Sequence, residues 1–447
     1  MKNKKFAWVL PIVGAGLVAS LTGCGGSKAD VTLTVFNWED YIYEGTDDEG
    51  NLVDEEGGII ERFEKYYQEK TGKTVKVQYE CFSTNEIMYS QIKSGSIEAD
   101  LICPSDYMIQ KMANEGMLEE FSYNESTKKY GESLENWDKN GSLYIKDKFA
   151  GEKLNNGKSF LSYAVPYFWG TLGFTYRMDS DAANYVNSWE CLWNSAMKSN
   201  FSIKNSMRDT YVAAIFHVYK EEIANLVETD ADYNEKLSAI FNRCDADTLT
   251  KVEAALRAAK ANSYGLEIDE GKDDIVRGTY AANLAWSGDA VYSIESAEEA
   301  GVTLGYSLPE EGSNIWFDGW CMPKGANKEL AEEFVNFISN PKMAALSMDS
   351  VGYTSSIAGE DIWALVNEWY AADEEDAQIV TDECDLSYFF GDTIEGAAKI
   401  NIDKEERGRG FDAQYPSVEQ IKKCCVMKDF GDQTAAVEAM WNRVTAA

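Results

Sequence analysis

Asn314-Ile-Trp-Phe-Asp-Gly-Trp-Cys-Met-Pro323 reads as one extended segment. In a strand, residues two apart point to the same face, so Trp316 and Asp318 look into the same space. A ring face beside a carboxylate suits a cation on an apolar stem: the carboxylate takes the ammonium, and the indole covers methylenes and adds cation–π attraction. The same residues also read as plain core and an ordinary turn carboxylate, so this segment needs the rest of the chain to decide it.

Upstream, strands and helices alternate. Residues 31–38 read as a strand ending at Asn37-Trp38, with Asp40 and Tyr41 just beyond it. Apolar residues at helical spacing over 59–67 predict a helix stopped by Gly72, and Val75, Val77 and Tyr79 alternate as a strand does. Ser83 with Glu86 reads as a capping box. Residues 100–103 form a short strand, and Ser105-Asp106 caps a helix running to Gly116. This β-α-β-α-β-α order predicts a sheet wrapped by helices.

Residues 44–57 read as an acidic solvated loop and 122–160 as a polar surface excursion. A strand is expected around Pro166-Tyr-Phe-Trp-Gly170. Asn205 to Asp209 opens an apolar helix. Residues 220–262 are acidic and helical, with Leu237, Ile240, Phe241, Leu249, Val252 and Leu256 as the buried stripe. A strand at 281–286 leads into a helix at Ser287-Gly-Asp289, another strand covers 302–306, Asn327 caps a helix, and the remainder reads as mainly helical. Trp38, Ser105, Tyr107, Ser206, Asp209 and Ser287 all fall where a strand gives way to its helix. In open α/β sheets ligands bind at those carboxyl ends. Two such sheets would face each other across a cleft.

The chain has 447 residues, enough for two or three folding units. It carries 41 basic and 76 acidic residues, a net charge of −35. That surface disfavours nucleic acid and anionic membrane and is compatible with attracting cations, although acidity also serves solubility alone. One histidine, His217, and eight cysteines after Cys24 with no CxxC spacing argue against a transition-metal site. Cys81, Cys103 and Cys321 read as small core residues. No cofactor is expected.

Lys2, Lys4 and Lys5 followed by an apolar run have the shape of a secretory signal. Leu21-Thr-Gly-Cys24 resembles the bacterial lipobox, which implies a signal peptide at 1–23, lipidation of Cys24, and a short tether over 24–30. No later run is apolar and long enough to span a bilayer, so the expected location is extracytoplasmic, anchored to the outer face of the cell membrane. Nothing in the sequence calls for an oligomer, and a monomer is expected.

Taken in order, Leu33-Thr-Val-Phe-Asn-Trp-Glu-Asp-Tyr41, Asn85-Glu-Ile-Met-Tyr89, Asp100-Leu-Ile-Cys-Pro-Ser-Asp-Tyr107, Val165-Pro-Tyr-Phe-Trp-Gly170, Ser206-Met-Arg-Asp209, Ala285-Trp286, Ile315-Trp-Phe-Asp318 and Gly352-Tyr353 resemble the spermidine/putrescine-binding proteins of polyamine ABC transporters. The resemblance implies a two-lobed α/β fold of the type II periplasmic-binding-protein kind, with the cleft between the lobes. Residues 31–173 plus 317–363 would form lobe I, and 174–316 plus 364–447 lobe II. It further implies that Trp38, Tyr41, Tyr107, Trp286, Trp316 and Tyr353 line a slot around a methylene chain. Asp318 and Asp209 would hold the amines, and Ser105 and Asp40 would add hydrogen bonds. Ser206 and Asp209 depart from the spermidine-preferring pattern, where carboxylate and Glu are common. The implied partners are a polyamine and the permease of an ABC transporter, and no catalysis is expected. Open alternatives are a receptor for another solute, a hydrolase using Asp209 and Asp318 as paired carboxylates, and an adhesin using the acidic face.

Overall fold

The computed structural model describes residues 29–46, 51–373 and 378–446. The signal peptide, Cys24 and most of the tether lie outside the described residues. The strands are β1 (Val31–Trp38), β2 (Val75–Phe82), β3 (Leu101–Ile102), β4 (Leu118–Glu119), β5 (Ala164–Arg177), β6 (Phe201–Lys204), β7 (Gly265–Glu267), β8 (Ala282–Trp286), β9 (Leu304–Ser307), β10 (Ser313–Pro323), β11 (Thr354–Ser355), β12 (Thr381–Asp385), β13 (Lys399–Asp403) and β14 (Cys424–Cys425).

All but β12 and β13 join one sheet whose main path runs β2-β1-β3-β10-β5-β8-β6-β7. Its two flanks are parallel: β1 with β2 and β3 on one side, and β6 with β7 and β8 on the other. They meet at two long antiparallel strands, β5 and β10. Both strands are buried along nearly their whole length, as strands covered on both faces must be. The ladder between them shifts register at Asp318/Gly319: Asp318 faces Phe168, and Gly319 faces Pro166. Tyr167 is the extra residue, a bulge next to a proline that has no N–H to give the ladder.

The two long strands pass between two cores. The first gathers Leu33, Phe36, Phe63, Trp137, Trp169 and Phe334. The second gathers Leu172, Phe174, Trp189, Phe201, Val212 and Leu284. The change falls between Trp169 and Leu172 on β5.

Several sequence expectations change. The polar excursion at 122–160 folds into the helices Glu135–Asn140 and Leu143–Gly151 and buries Trp137, Ile145 and Phe149 in the first core. Its polarity sits on the outer face of short amphipathic pieces. Of the segment after 364, expected in the second lobe, the first part puts Val366, Phe389, Phe390, Ile400 and Ile402 into the first core, whereas Met427, Val437, Met440 and Val444 pack with residues of the second half. Helices dominate the remainder as expected, with β12 and β13 added as an antiparallel pair. Cys81 is exposed, whereas Cys103 and Cys321 are buried. The cap before Ile87 is Thr84 and not Ser83. The stripe from Leu237 to Leu256 is buried as expected.

Candidate functional site

Asp318 lies in the bulged part of the ladder, buried, with its backbone bridged to Ser105. Its Oδ2 accepts from the Tyr41 hydroxyl at 2.7 Å. Its Oδ1 is buried and makes no hydrogen bond. Burial pushes the carboxyl up to about 6, opposed by the Tyr41 bond and the Ser105 hydroxyl alongside, and reinforced by the charge of Asp209.

Asp209 is placed by a helix start. Ser206 caps Met207–Val218, accepting from the Asp209 N–H at 3.4 Å, and its hydroxyl donates to Asp209 Oδ2 at 2.6 Å. The other oxygen accepts from the Trp286 indole N–H at 3.2 Å. Burial raises this carboxyl too, while Ser206, Trp286, Lys204 and Arg208 oppose the rise.

Aromatic rings line the side of Asp318. Tyr353 packs edge-on to Trp316 at 5.6 Å and to Tyr41 at 5.7 Å. Its hydroxyl donates to Asp289 at 2.8 Å. Gly170 and Gly288 make room for this packing. A Cβ on Gly170 would stand 2.7 Å from the Trp316 ring, and one on Gly288 would stand 2.5 Å from the Tyr353 ring.

The expected residues do not all gather equally. Tyr41, Ser105, Trp316, Asp318 and Tyr353 form one group, and Ser206, Asp209 and Trp286 a second; Lys204 under Trp286 and Asp289 under Tyr353 join them. Tyr107 flanks it, sandwiched against the Arg208 guanidinium at 4.0 Å, with its hydroxyl on Glu86 at 3.0 Å. Trp38 packs on Phe82 at 4.5 Å, at the carboxyl end of β1. Asp40 is exposed, in the left-handed region at φ 50°. The indole N–H groups of Trp38 and Trp316 are buried without partners.

Sequence reasoning missed two buried charges. Asp106 is buried with its Oδ2 unpartnered, and burial holds it well above the usual carboxylate range despite Arg208 nearby. Lys204 is fully buried, paired with Asp289 at 3.2 Å and Glu267 at 3.4 Å. A lysine inside the short apolar strand Phe-Ser-Ile-Lys was the available signal, because a buried ammonium requires partners. Arg208 is buried between the Tyr107 and Phe430 rings. Among the described residues no cluster of His, Cys, Asp and Glu is arranged to hold a metal ion.

Residues 59–375 match the family model for bacterial extracellular solute-binding proteins. The chain belongs to that family. Members of this solute-binding family bind substrates for transport and are not enzymes. This solute-binding protein is 25% identical over 351 residues to the spermidine/putrescine-binding periplasmic protein of Salmonella typhimurium, covering 77% of this chain and 83% of that one. It is 26% identical over 362 residues to the putrescine-binding periplasmic protein of Escherichia coli, covering 79% and 85%. Its fold is that of type II periplasmic binding proteins. The substrate-binding protein of a spermidine/putrescine ABC transporter from Streptococcus pneumoniae superposes with a TM-score of 0.58 at 24% identity, covering 93% of this chain and 98% of the other. A lipoprotein of Treponema pallidum gives 0.62 at 18%, covering 93% and 100%. Among the described residues no helix is long and apolar enough to cross a membrane.

Proposed function

We propose that this solute-binding protein captures a linear polyamine of the putrescine/spermidine class outside the cell and delivers it to the permease of an ABC transporter. The observation that carries the reading is the bare Oδ1 of Asp318, a buried carboxylate oxygen without a hydrogen bond, whose carboxyl is raised by burial and, to a smaller degree, by the charge of a second buried carboxylate, Asp209. A buried anion left unpaired is costly. One ammonium removes that cost at Asp318, a second adds to the bonds Asp209 already accepts, and each charge-assisted hydrogen bond contributes roughly 1.5–3 kcal/mol.

On this reading Asp318 takes one ammonium and Asp209 the other. Trp316, Trp286, Tyr41 and Tyr353 cover the methylenes, with Trp38 and Tyr107 at the flanks. Ser105 and Ser206 orient the two acids, and Asp40 contributes at the mouth. The unpartnered indole N–H groups offer nothing to a cation, so those rings serve with their faces. The relatives support the ligand class, since both curated proteins are named for putrescine or spermidine.

The two cores act as lobes that close on the ligand by bending of β5 and β10. Cys24 carries the lipid, residues up to 30 form the tether, and the protein works as a monomer at the outer face of the membrane. Thermal melting of the chain from residue 25 onward, with putrescine, spermidine, amino acids and sugars, tests the reading. Polyamines alone should raise the melting temperature by mass action. A shift with a sugar or amino acid and none with polyamines overturns it.

A further inference from the structure

Lys204 ends β6 with its side chain wholly buried. Its ammonium donates to the Ile268 carbonyl at 2.5 Å and to Asp289 Oδ2 at 3.2 Å, with Glu267 Oε1 at 3.4 Å as a second counter-charge. Its remaining side is covered by the Trp286 ring, whose centroid lies 4.5 Å away. That ring donates its N–H to Asp209, and Asp289 receives the Tyr353 hydroxyl, whose ring abuts Trp316 and Tyr41. From one buried charge, contacts run to Asp209 in one direction and to the wall beside Asp318 in the other.

We propose that Lys204 is a positioning residue for amine binding: it seats Trp286 and, through that indole, aims and charges Asp209. The inference rests on the polyamine reading. Two electrostatic consequences support it. The ammonium favours the ionised form of Asp209, countering the burial that disfavours it. It also engages one π-face of Trp286, so the ring attracts a second cation weakly. Trp286 then supplies apolar cover and an N–H, and the ligand's charge is directed onto the carboxylate. Glu267, pushed up to about 7 by burial, is a weak counter-ion at neutral pH. Asp289 is the firm one, since Lys204 and Lys272 hold it below the usual range against its burial.

The test is a double-mutant cycle on the chain from residue 25 onward, read by calorimetric affinity for 1,4-diaminobutane. Lys204→Met should weaken binding by about tenfold or more in the unsubstituted chain and by less than about threefold in an Asp209→Asn background, because a residue acting through Asp209 has nothing left to act on. A lysine that only holds the fold together gives the same loss in both backgrounds. Should Lys204→Met fail to fold, Lys204→Gln goes through the same cycle. Trp286→Phe, which cuts the link and keeps the ammonium, is run in parallel and should show the same non-additivity. Equal losses in both backgrounds for the variants that fold overturn the role of Lys204 and leave the polyamine reading standing. Absence of any diamine binding by the unsubstituted chain overturns both.

Discussion

The Tyr41 hydroxyl and Oδ2 of Asp318 are 2.7 Å apart in space and 277 residues apart in sequence. The bond leaves Asp318 one free oxygen and favours its ionised form. Tyr41→Phe should therefore raise the carboxyl further and weaken polyamine binding at neutral pH by about tenfold, the worth of one charge-assisted hydrogen bond. Titration calorimetry checks this, and unchanged affinity would place the ligand elsewhere.

The pH dependence follows from the same group. Asp318 rises from 3.8 to about 6 on folding. Protonation is thus favoured in the unliganded fold. Its contribution to stability is fully present below about pH 4 and is lost as pH rises through about 6. An ammonium requires the anion, so ligand affinity runs the opposite way and falls on acidification below about 6, at most about tenfold per pH unit for each acid that protonates. In Asp318→Asn the unliganded melt should lose its decline across that window, and the ligand-induced shift should vanish. Melting curves at pH 4 to 8, with and without putrescine, separate the two trends.

Gly170 tests the wall. Alanine there would press on the Trp316 ring and on the Ser287 hydroxyl, 2.5 Å away. Crowding of this kind costs roughly 1–3 kcal/mol. With Trp316 displaced toward the ligand, longer polyamines should lose more affinity than ammonium. An equal loss for both would deny Trp316 a place along the methylenes.

Arg208 stacks on Tyr107, and its guanidinium donates to the Lys428 carbonyl, tying the helix Met207–Val218 to the helix Asp106–Asn114. A contact of this type is worth about 0.5–2 kcal/mol. Tyr107→Ala should shift the unliganded protein toward an open form, visible as a larger radius of gyration in small-angle scattering, and putrescine should restore the compact value. No change in radius would mean that the pair does not hold the halves together.

His217 marks what should not matter. It stacks on Trp193 at 3.8 Å and bonds Glu190 at 2.6 Å, remote from both acids. His217→Gln should lower the melting temperature modestly and leave polyamine affinity within about twofold. A larger loss in affinity would give this imidazole a role at the site.

Much of the architecture was legible in the sequence because the signals were local. Gly72 stops its helix in the left-handed conformation, Asn327 caps where expected, and β10 covers the quoted stretch with one residue added. The excursion at 122–160 was misread because its apolar residues are spread over short helices that no single window captures. The destination of residues after 364 was illegible for another reason: which core a segment joins is decided by long-range packing. At the candidate site, Trp316, Asp318, Asp209 and Tyr353 were named from resemblance and spacing, whereas Lys204 and Asp289 were not weighed as a pair. Their pairing spans 85 residues, and only the folded sheet brings them together.

The bulge at Tyr167 places the irregular rung of the β5–β10 ladder beside Asp318. Where a ladder is already broken, bending meets least resistance. On the proposed closure about β5 and β10, the pivot and the anion would share a rung, and opening the halves would re-aim that carboxylate and loosen its hold on an amine in a single movement. Unloading would then need no trigger beyond mechanical opening.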